Sequence, residues 1–154
     1  MSGVQTVAGT TINISASPPA TFDATGYAAL TFTKIGEIVD GGSHGRVYAE
    51  TNHQPIDTRA VQKYKGSYNE GTKTVKMAIS DADPGQIILK LALKSDASYY
   101  FKVLYQDGAV DYFPAKVLSF DKAAPSVDAI RMATVALTLT TSAGGVGVVE
   151  VTSP

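Results

Sequence analysis

The stretch D-G-A-V-D-Y-F-P-A-K-V-L-S-F-D, Asp107 to Asp121, decides the fold class. Asp-Gly ahead of alternating apolar residues predicts a hairpin turn, because Gly108 accepts the positive φ that tight turns require. One strand is therefore expected to end near Gln106 and its partner to begin near Ala109. Pro114 has no N–H to give to a neighbouring strand, so this second strand is expected at a sheet edge, or bulged, with a neighbour on one side only.

Strand patterns cover most of the remaining chain, because apolar and polar residues alternate with a period of two. In the last of these strands, Val135 and Leu137 share one face, and small polar side chains, Thr134 and Thr138 among them, share the other. The predicted strands run over Val4 to Ser15, Ala28 to Val39, Arg46 to Thr51, Thr72 to Ser80, Tyr99 to Gln106, Val110 to Phe120 and Ala129 to Thr141.

One helix is predicted over Asp83 to Ser95, in the sequence D-P-G-Q-I-I-L-K-L-A-L-K-S. Asp83 is suited to cap it, Pro84 suits its first position, and Gln86 completes the spacing of a capping box. Gln86, Lys90 and Lys94 are predicted to form a narrow solvent stripe. The rest of the helix surface is apolar, so the helix is expected to lie across a sheet or to be partly covered by another subunit.

Composition narrows the classes of function. The 154 residues suit one domain, and thirteen Lys plus Arg against fourteen Asp plus Glu give a net charge of -1 without any basic block that would grip phosphate or a membrane surface. The absence of cysteine removes disulfides, thiolate metal sites and cysteine nucleophiles. No window is apolar enough to span a membrane and the first residues lack a signal-peptide pattern, so cytoplasmic synthesis is expected.

The sequence contains no complete motif for catalysis or for binding a metal or cofactor. Asp81 and Asp83 form a D-x-D that suits a divalent metal, but the capping role of Asp83 is favoured. His44 and His53 match no compact ligand spacing and are interpreted as solvated loop residues. The Gly41–Arg46 sequence G-G-S-H-G-R lacks the ending of a phosphate loop and is interpreted as a flexible loop. No enzyme activity, metal or cofactor is therefore predicted.

The connection between Asp40 and Gly71 is abnormally long for a compact domain, which indicates either function or disorder. It contains Val61, Tyr64 and Tyr68, side chains that a solvated linker does not need, so we expect it to order on a partner. The segment 142–154 carries three glycines ahead of several valines, and it is expected to add a strand to its own sheet or to a neighbour's.

The order of these elements resembles the tail tube proteins of long-tailed bacteriophages, the group that includes the major tail protein of phage lambda. The residues that carry the resemblance lie between about Ala28 and Thr141. They are D-A-D-P-G-Q-I-I-L-K-L-A-L at Asp81 to Leu93, Y-Q-D-G-A-V-D-Y-F-P-A-K-V-L-S-F at Tyr105 to Phe120, and V-D-A-I-R-M-A-T-V-A-L-T-L-T at Val127 to Thr140.

The resemblance implies a single tail tube domain over residues 1–154, mainly β with one α-helix, as a β-sandwich or split barrel similar to the N-terminal domain of the lambda protein. It implies hexameric rings that stack into a hollow tube, in a virion tail assembled in the host cytoplasm. Residues 40–71 would be the stacking loop, and a neighbouring subunit would cover the strand of Pro114. Implied partners are the chain itself and the tape measure, tail tip and tail terminator proteins.

A tube that delivers DNA is expected not to bind it tightly. A net charge of -1 is consistent with this expectation, because tight DNA binding needs a surplus of cationic side chains to neutralise phosphates. Candidates for its lumen are Asp107 and Asp111 beside the hairpin turn and the face of Thr134, Thr138 and Thr140. Two alternatives stay open: a β-sandwich binding module for a carbohydrate or a surface, and a tube protein of a contractile or secretion system. A binding module would be monomeric with a ligand pocket, whereas a tube protein would polymerise.

Overall fold

The structure is a computed structural model that describes residues 4–152. Antiparallel strands dominate it, as expected, and two α-helices accompany them rather than one. In chain order the elements are β1 Thr11–Ser15, α1 Ala24–Ala28, β2 Thr33–Ile35, β3 Ile38–Asp40, β4 Val47–His53, β5 Gln62–Asn69, β6 Thr72–Ala78, α2 Pro84–Leu93, β7 Tyr99–Leu104, β8 Val110–Ala123, β9 Met132–Leu139 and β10 Val149–Val151.

The main sheet has eight strands in the order β2-β1-β7-β8-β9-β6-β3, with β10 paired to β8. Its two outermost strands, β2 and β3, are consecutive in the chain and are separated only by Gly36 and Glu37. The sheet must therefore curl until its two edges nearly meet. This is a split barrel, one of the two architectures expected from the sequence.

Two apolar clusters join the barrel to the elements that pack on it, namely α2 in the larger cluster and α1 with β10 in the smaller one. The larger one fills the space between the curled sheet and α2, around Phe101, Phe113 and Leu89. The smaller one lies where α1 and β10 pack on the sheet, around Tyr27 and Tyr112, whose rings stack with centroids 5.1 Å apart. The helix α1 was not predicted from the sequence, because five residues give too short a pattern.

Helix α2 packs against the edge strand β2 and bonds to the link between β2 and β3. Asp83 is its N-cap, as predicted, and accepts a hydrogen bond from Gln86 N at 3.0 Å. The same carboxylate also accepts from Gly36 N at 3.0 Å. Gly85 allows the close approach, because a Cβ there would lie 2.3 Å from the carbonyl oxygen of Lys34.

The prediction that Gln86 faces solvent is wrong, because its side chain is fully buried. Its Nε2 donates to the carbonyl oxygens of Gly36 at 3.1 Å and Ala78 at 2.9 Å, and its Oε1 accepts from Ser80 N at 3.0 Å. Gln86 thus joins the β2–β3 link to the end of β6. The outer face of α2 instead carries Ile87 and Leu91, which are exposed.

Pro114 does not lie on an edge strand, contrary to the prediction. It is buried and pairs with Tyr100 of β7, and on its other side its carbonyl oxygen accepts a hydrogen bond from Thr140 N at 3.0 Å. On that other side, β10 pairs with β8 up to Tyr112, and β9 pairs with it from Ala115 onward. Because N and O of one strand residue point the same way, the missing N–H faces the gap between β10 and β9.

Several predicted boundaries shift. The first strand begins at Thr11 rather than near Val4, and the predicted strand from Ala28 to Val39 is interrupted by a loop and by Glu37, whose φ is 62°. The Asp107-Gly108 turn is confirmed, with Gly108 at φ 96°. The segment 142–152 adds β10 to the chain's own sheet, and the last two residues of the predicted tail lie outside the described residues.

We expect Gln86→Leu to lower the free energy of unfolding by about 3 kcal/mol, because three partly buried backbone groups lose their hydrogen-bond partner. Urea denaturation measures this change. The same substitution at the exposed Gln106 is the matched control and is expected to stay within about 0.5 kcal/mol. Equal effects at the two sites would contradict a structural role for Gln86.

Candidate self-association surface and the network at its base

A two-stranded hairpin projects from the barrel. The segment from Asp40 to Gly71, predicted to hold one short strand, contains both β4 and β5, which pair only with each other within residues 4–152. Every residue of the two strands is exposed. An isolated two-stranded hairpin is marginally stable in water, so this one is suited to gain its stability from a partner.

Large side chains stand on both faces of the hairpin. Tyr64 is 56% exposed and its hydroxyl donates to Gln62 Oε1 at 3.0 Å, so these two residues share one face. The opposite face carries Lys65, whose Nζ lies 4.7 Å from the ring centroid of Tyr48. Val61 and Ile56 are exposed in the connection between the strands. The hairpin thus offers anchors of the kind that interfaces bury.

The base of the hairpin is fixed to the barrel. Arg46 Nη2 lies 2.8 Å from Glu70 Oε1, and the carboxylate of Glu70 is 97% buried. The Arg46 guanidinium also lies over the ring of Tyr68, 4.0 Å from its centroid, and Tyr68 Oη donates to the carbonyl oxygen of Gly145 at 3.0 Å. Tyr68, one of the predicted association residues, therefore makes its contacts at the base of the hairpin within its own subunit. Val61 and Tyr64 remain exposed for contacts with other subunits.

A buried polar network lies beneath the loop that leads into the hairpin. His44 Nε2 is 3.1 Å from Asp111 Oδ2, and Lys73 Nζ is 3.2 Å from His44 Nδ1. Because an ammonium group only donates, Nδ1 accepts and the ring proton belongs on Nε2, where it meets the carboxylate. Tyr105 Oη donates to the same Oδ2 at 2.6 Å.

The network corrects two sequence-based interpretations. His44 was interpreted as solvated, but its side chain is 12% exposed and its ring lies 5.4 Å from that of Phe113. Asp111, a predicted lumen residue, is 17% exposed and is occupied by the network. His53 is exposed on β4, as interpreted. Nothing in the residue spacing signals the contact, because His44 and Asp111 lie 67 positions apart.

The pKa values follow from this burial and pairing. Burial would raise the pKa of Asp111, but hydrogen bonds from His44 and Tyr105, aided by the charge of Lys73, hold it below its ordinary value. Burial lowers the pKa of Lys73, against the attraction of Asp111 and Asp40. Burial and the bond to Asp111 raise the pKa of the Tyr105 phenol. The hydrogen bonds of the group tie the loop before β4 to β6, to β8 and to the end of β7.

A cavity of about 900 Å³ opens to solvent above the network. Apolar and charged side chains both line it, and the acids outnumber the bases. The residues with charged side chains are Asp40, Arg46, Glu70, Lys73, Asp111 and Glu150, and the apolar ones are Val7, Ile12, Ile38, Val39, Val103 and Val148.

The other predicted site residues are scattered. Asp107 is exposed and its carboxylate accepts from Ala109 N at 3.0 Å within the hairpin turn. Thr134 and Thr138 are half-buried on the face of β9 that points away from the core, with Thr140 just beyond the strand. The carboxylate of Asp81, the first residue of the D-x-D, lies 3.1 Å from Lys90 Nζ. Within residues 4–152, no helix has the length and apolar character needed to cross a membrane.

Comparison by sequence finds no matching family model and no match among curated proteins. Comparison by structure does find matches. A chain of the native gene transfer agent virion superposes with a TM-score of 0.69 at 12% identity, covering 97% of this chain and 100% of that one. A chain of the six-fold symmetrised anti-feeding prophage baseplate gives 0.66 at 10% identity, covering 98% and 97%.

The SPP1 tail tube protein gives a TM-score of 0.61 at 14% identity, covering 94% of this chain and 78% of that one. At such low identity these matches establish the fold alone. The fold of this chain is that of tail tube proteins, as the sequence resemblance implied. A special likeness to the phage lambda protein stays a prediction.

The network predicts a pH-dependent contribution of Asp111 to stability. Because its pKa is lowered on folding, the contribution is complete above the ordinary carboxyl pKa of about 4 and is lost as the pH falls through the lowered value. Asp111→Asn is therefore expected to destabilise by about 2 kcal/mol at neutral pH and by progressively less in acid. Urea denaturation between pH 7 and about pH 2 measures the difference. Asp128→Asn, at an exposed site, is the control, and a constant deficit for Asp111→Asn would contradict the assignment.

Proposed function

We propose that this chain is the structural subunit of a hollow tail tube. The observation that carries the proposal is the match of nearly the whole chain to a tail tube protein and to chains of two related particles. The exposed hairpin of β4 and β5 supports it, since that hairpin has surface to bury and no partner within the described part of its own subunit.

The subunits are proposed to form rings of six that stack into the tube. Six-fold symmetry is stated for the anti-feeding prophage baseplate, and it is carried here to this chain as part of the proposal. Two exposed apolar surfaces are available for subunit contacts, the hairpin with Val61 and Tyr64 and the outer face of α2 with Ile87 and Leu91. Because they differ, their contacts are heterologous, the type that closes rings or continues as filaments.

The tube is proposed to belong to a virion tail assembled in the host cytoplasm, with tape measure, tail tip and tail terminator proteins as partners. DNA passes through it without specific binding, because a net charge of -1 offers no surplus of cations to neutralise phosphates. Thr134 and Thr138 on the outer face of β9 are the proposed lumen residues. Sub-micromolar, salt-sensitive DNA binding by assembled tubes would contradict this part.

A second candidate is the tube of a contractile injection system, since a chain of the sheath-tube complex of an extracellular contractile injection system also matches, with a TM-score of 0.61. Both candidates are structural rather than enzymatic. The matched chains belong to a virion and a tail tube, which supports a structural role.

Negative-stain microscopy of the purified protein tests the proposal. We expect hollow tubes or six-membered rings at micromolar concentration. A protein that stays monomeric as its concentration is raised would contradict a tube and favour the binding module considered from the sequence, for which the 900 Å³ cavity would be the ligand site.

The hairpin makes a sharper prediction about assembly. Val61→Ala combined with Tyr64→Ala is expected to abolish tubes while changing the free energy of unfolding by less than about 1 kcal/mol, since both side chains are exposed in the subunit. Microscopy and urea denaturation of the same preparation give the two readouts. The control is Asp121→Ala with Lys122→Ala, two exposed residues on β8 away from the hairpin, which should still assemble. Tubes of normal length from the first variant would exclude this surface.

A further inference from the structure

We propose that the tip of the hairpin, Gln54 to Val61, inserts into the cavity of a second copy of this chain. The inference rests on the proposed function in that the occupant is another subunit. It goes beyond that function by naming the two surfaces that meet and the side chains that recognise each other.

The tip presents an apolar anchor and a cation side by side. Ile56 is fully exposed at the end of the hairpin. Arg59, three residues later, is also exposed and makes no ion pair with any residue of the described range 4–152. The turn between them is ordered, because Thr58 N donates to the carbonyl oxygen of Pro55 and Ala60 N donates to Thr58 Oγ1.

The mouth of the cavity presents the complementary chemistry. Val7 and Val39 line it and are mostly exposed, although both are apolar. The carboxylates of Asp40 and Glu150 also belong to exposed residues, and within the described chain Glu150 has no cationic partner. An isoleucine would bury against the two valines while an arginine reached the carboxylates.

The charge of the cavity favours a cationic occupant. Asp40, Glu70, Asp111 and Glu150 line it against Arg46 and Lys73. Glu70 and Arg46 neutralise each other at 2.8 Å. Three carboxylates then remain against one ammonium group, which is 97% buried at the floor. The surplus negative charge therefore lies at the mouth, where Arg59 would arrive.

The tip is held away from the cavity of its own subunit. The hairpin leaves the barrel at Arg46 and returns at Glu70, and both residues line that cavity. Strands of seven and eight residues carry the tip roughly 23 Å away from this base, at about 3.3 Å per residue. A second subunit is thus the source of the tip. Each subunit gives one tip and receives one, so the contact repeats from copy to copy.

Cysteine cross-linking tests this contact directly, because the chain has no native cysteine. Ile56→Cys combined with Val39→Cys is expected to give a ladder of covalent multimers when assembled protein is oxidised. Each single variant should give at most dimers. The pair Ile56→Cys with Leu91→Cys is the matched control, since Leu91 is exposed on the other apolar surface, and it should give no ladder.

A charge exchange provides an independent readout. Arg59→Glu and Glu150→Arg are each expected to raise the critical concentration for assembly about tenfold or more, because each places like charges together. The double variant is expected to restore assembly, since it rebuilds the pair with reversed polarity. If the cysteine variants fold but do not assemble, this rescue decides the question.

The results separate this inference from the proposed function. Wild-type protein that forms neither rings nor tubes defeats the proposed function. If wild-type protein forms tubes, the docking of the tip is overturned when two results coincide. The variant with Ile56→Cys and Val39→Cys gives no ladder, and the combined Arg59→Glu and Glu150→Arg exchange does not restore assembly. The proposed tube would still stand. A ladder from the 56 and 91 pair would instead place the tip on the helix.

Discussion

The barrel depends on the closure of the gap between β2 and β3. Those two strands stand at opposite ends of the sheet but are joined by only two residues, so the position of this link fixes how the sheet curls into a barrel. Asp83 and Gln86 hold it, through bonds to Gly36, Ala78 and Ser80. The helix that presents these two side chains also places Leu89 into the core. One capped helix therefore fixes the link between the two edge strands, contributes to the core and packs against the edge strand β2.

Buried polar groups also fix the β4–β5 hairpin to the barrel. Glu70 and Lys73 are nearly as buried as the apolar core, and each is matched to a residue of the loop before β4, namely Arg46 and His44. Buried polar pairs add little net stability, but they penalise every arrangement that leaves one of them unpaired. The direction of the hairpin is set in this way. A surface that must meet identical copies needs such a fixed direction more than it needs strength.

Sequence patterns predicted the features that are local. The cap at Asp83 and the Asp107-Gly108 turn follow from a few adjacent residues, and β9 follows from its own alternation. Features that depend on distant neighbours were missed. Pro114 was predicted at an edge because its sequence gives no sign that β9 and β10 share the same side of β8. The strand β5 left no pattern, since a strand exposed on both faces has no reason to alternate. Val61 and Tyr64 were predicted to take part in self-association, because a solvated linker does not need such side chains. Both are exposed in the structure, and their role in association stays a prediction.

The position of β1 between β2 and β7 has a consequence for the time course of folding. Asn13 of β1 bonds to Lys102 of β7 across 89 residues, whereas β4 with β5 and β7 with β8 are hairpins of neighbouring segments. Local hairpins form early, and pairings between distant segments form late because a long loop must close first. In a chain emerging from the ribosome, the pairing of β1 with β7 is therefore the late step. Until it occurs the edges of β1 and β7 are open, and this is when crowded nascent chains are most exposed to mispairing.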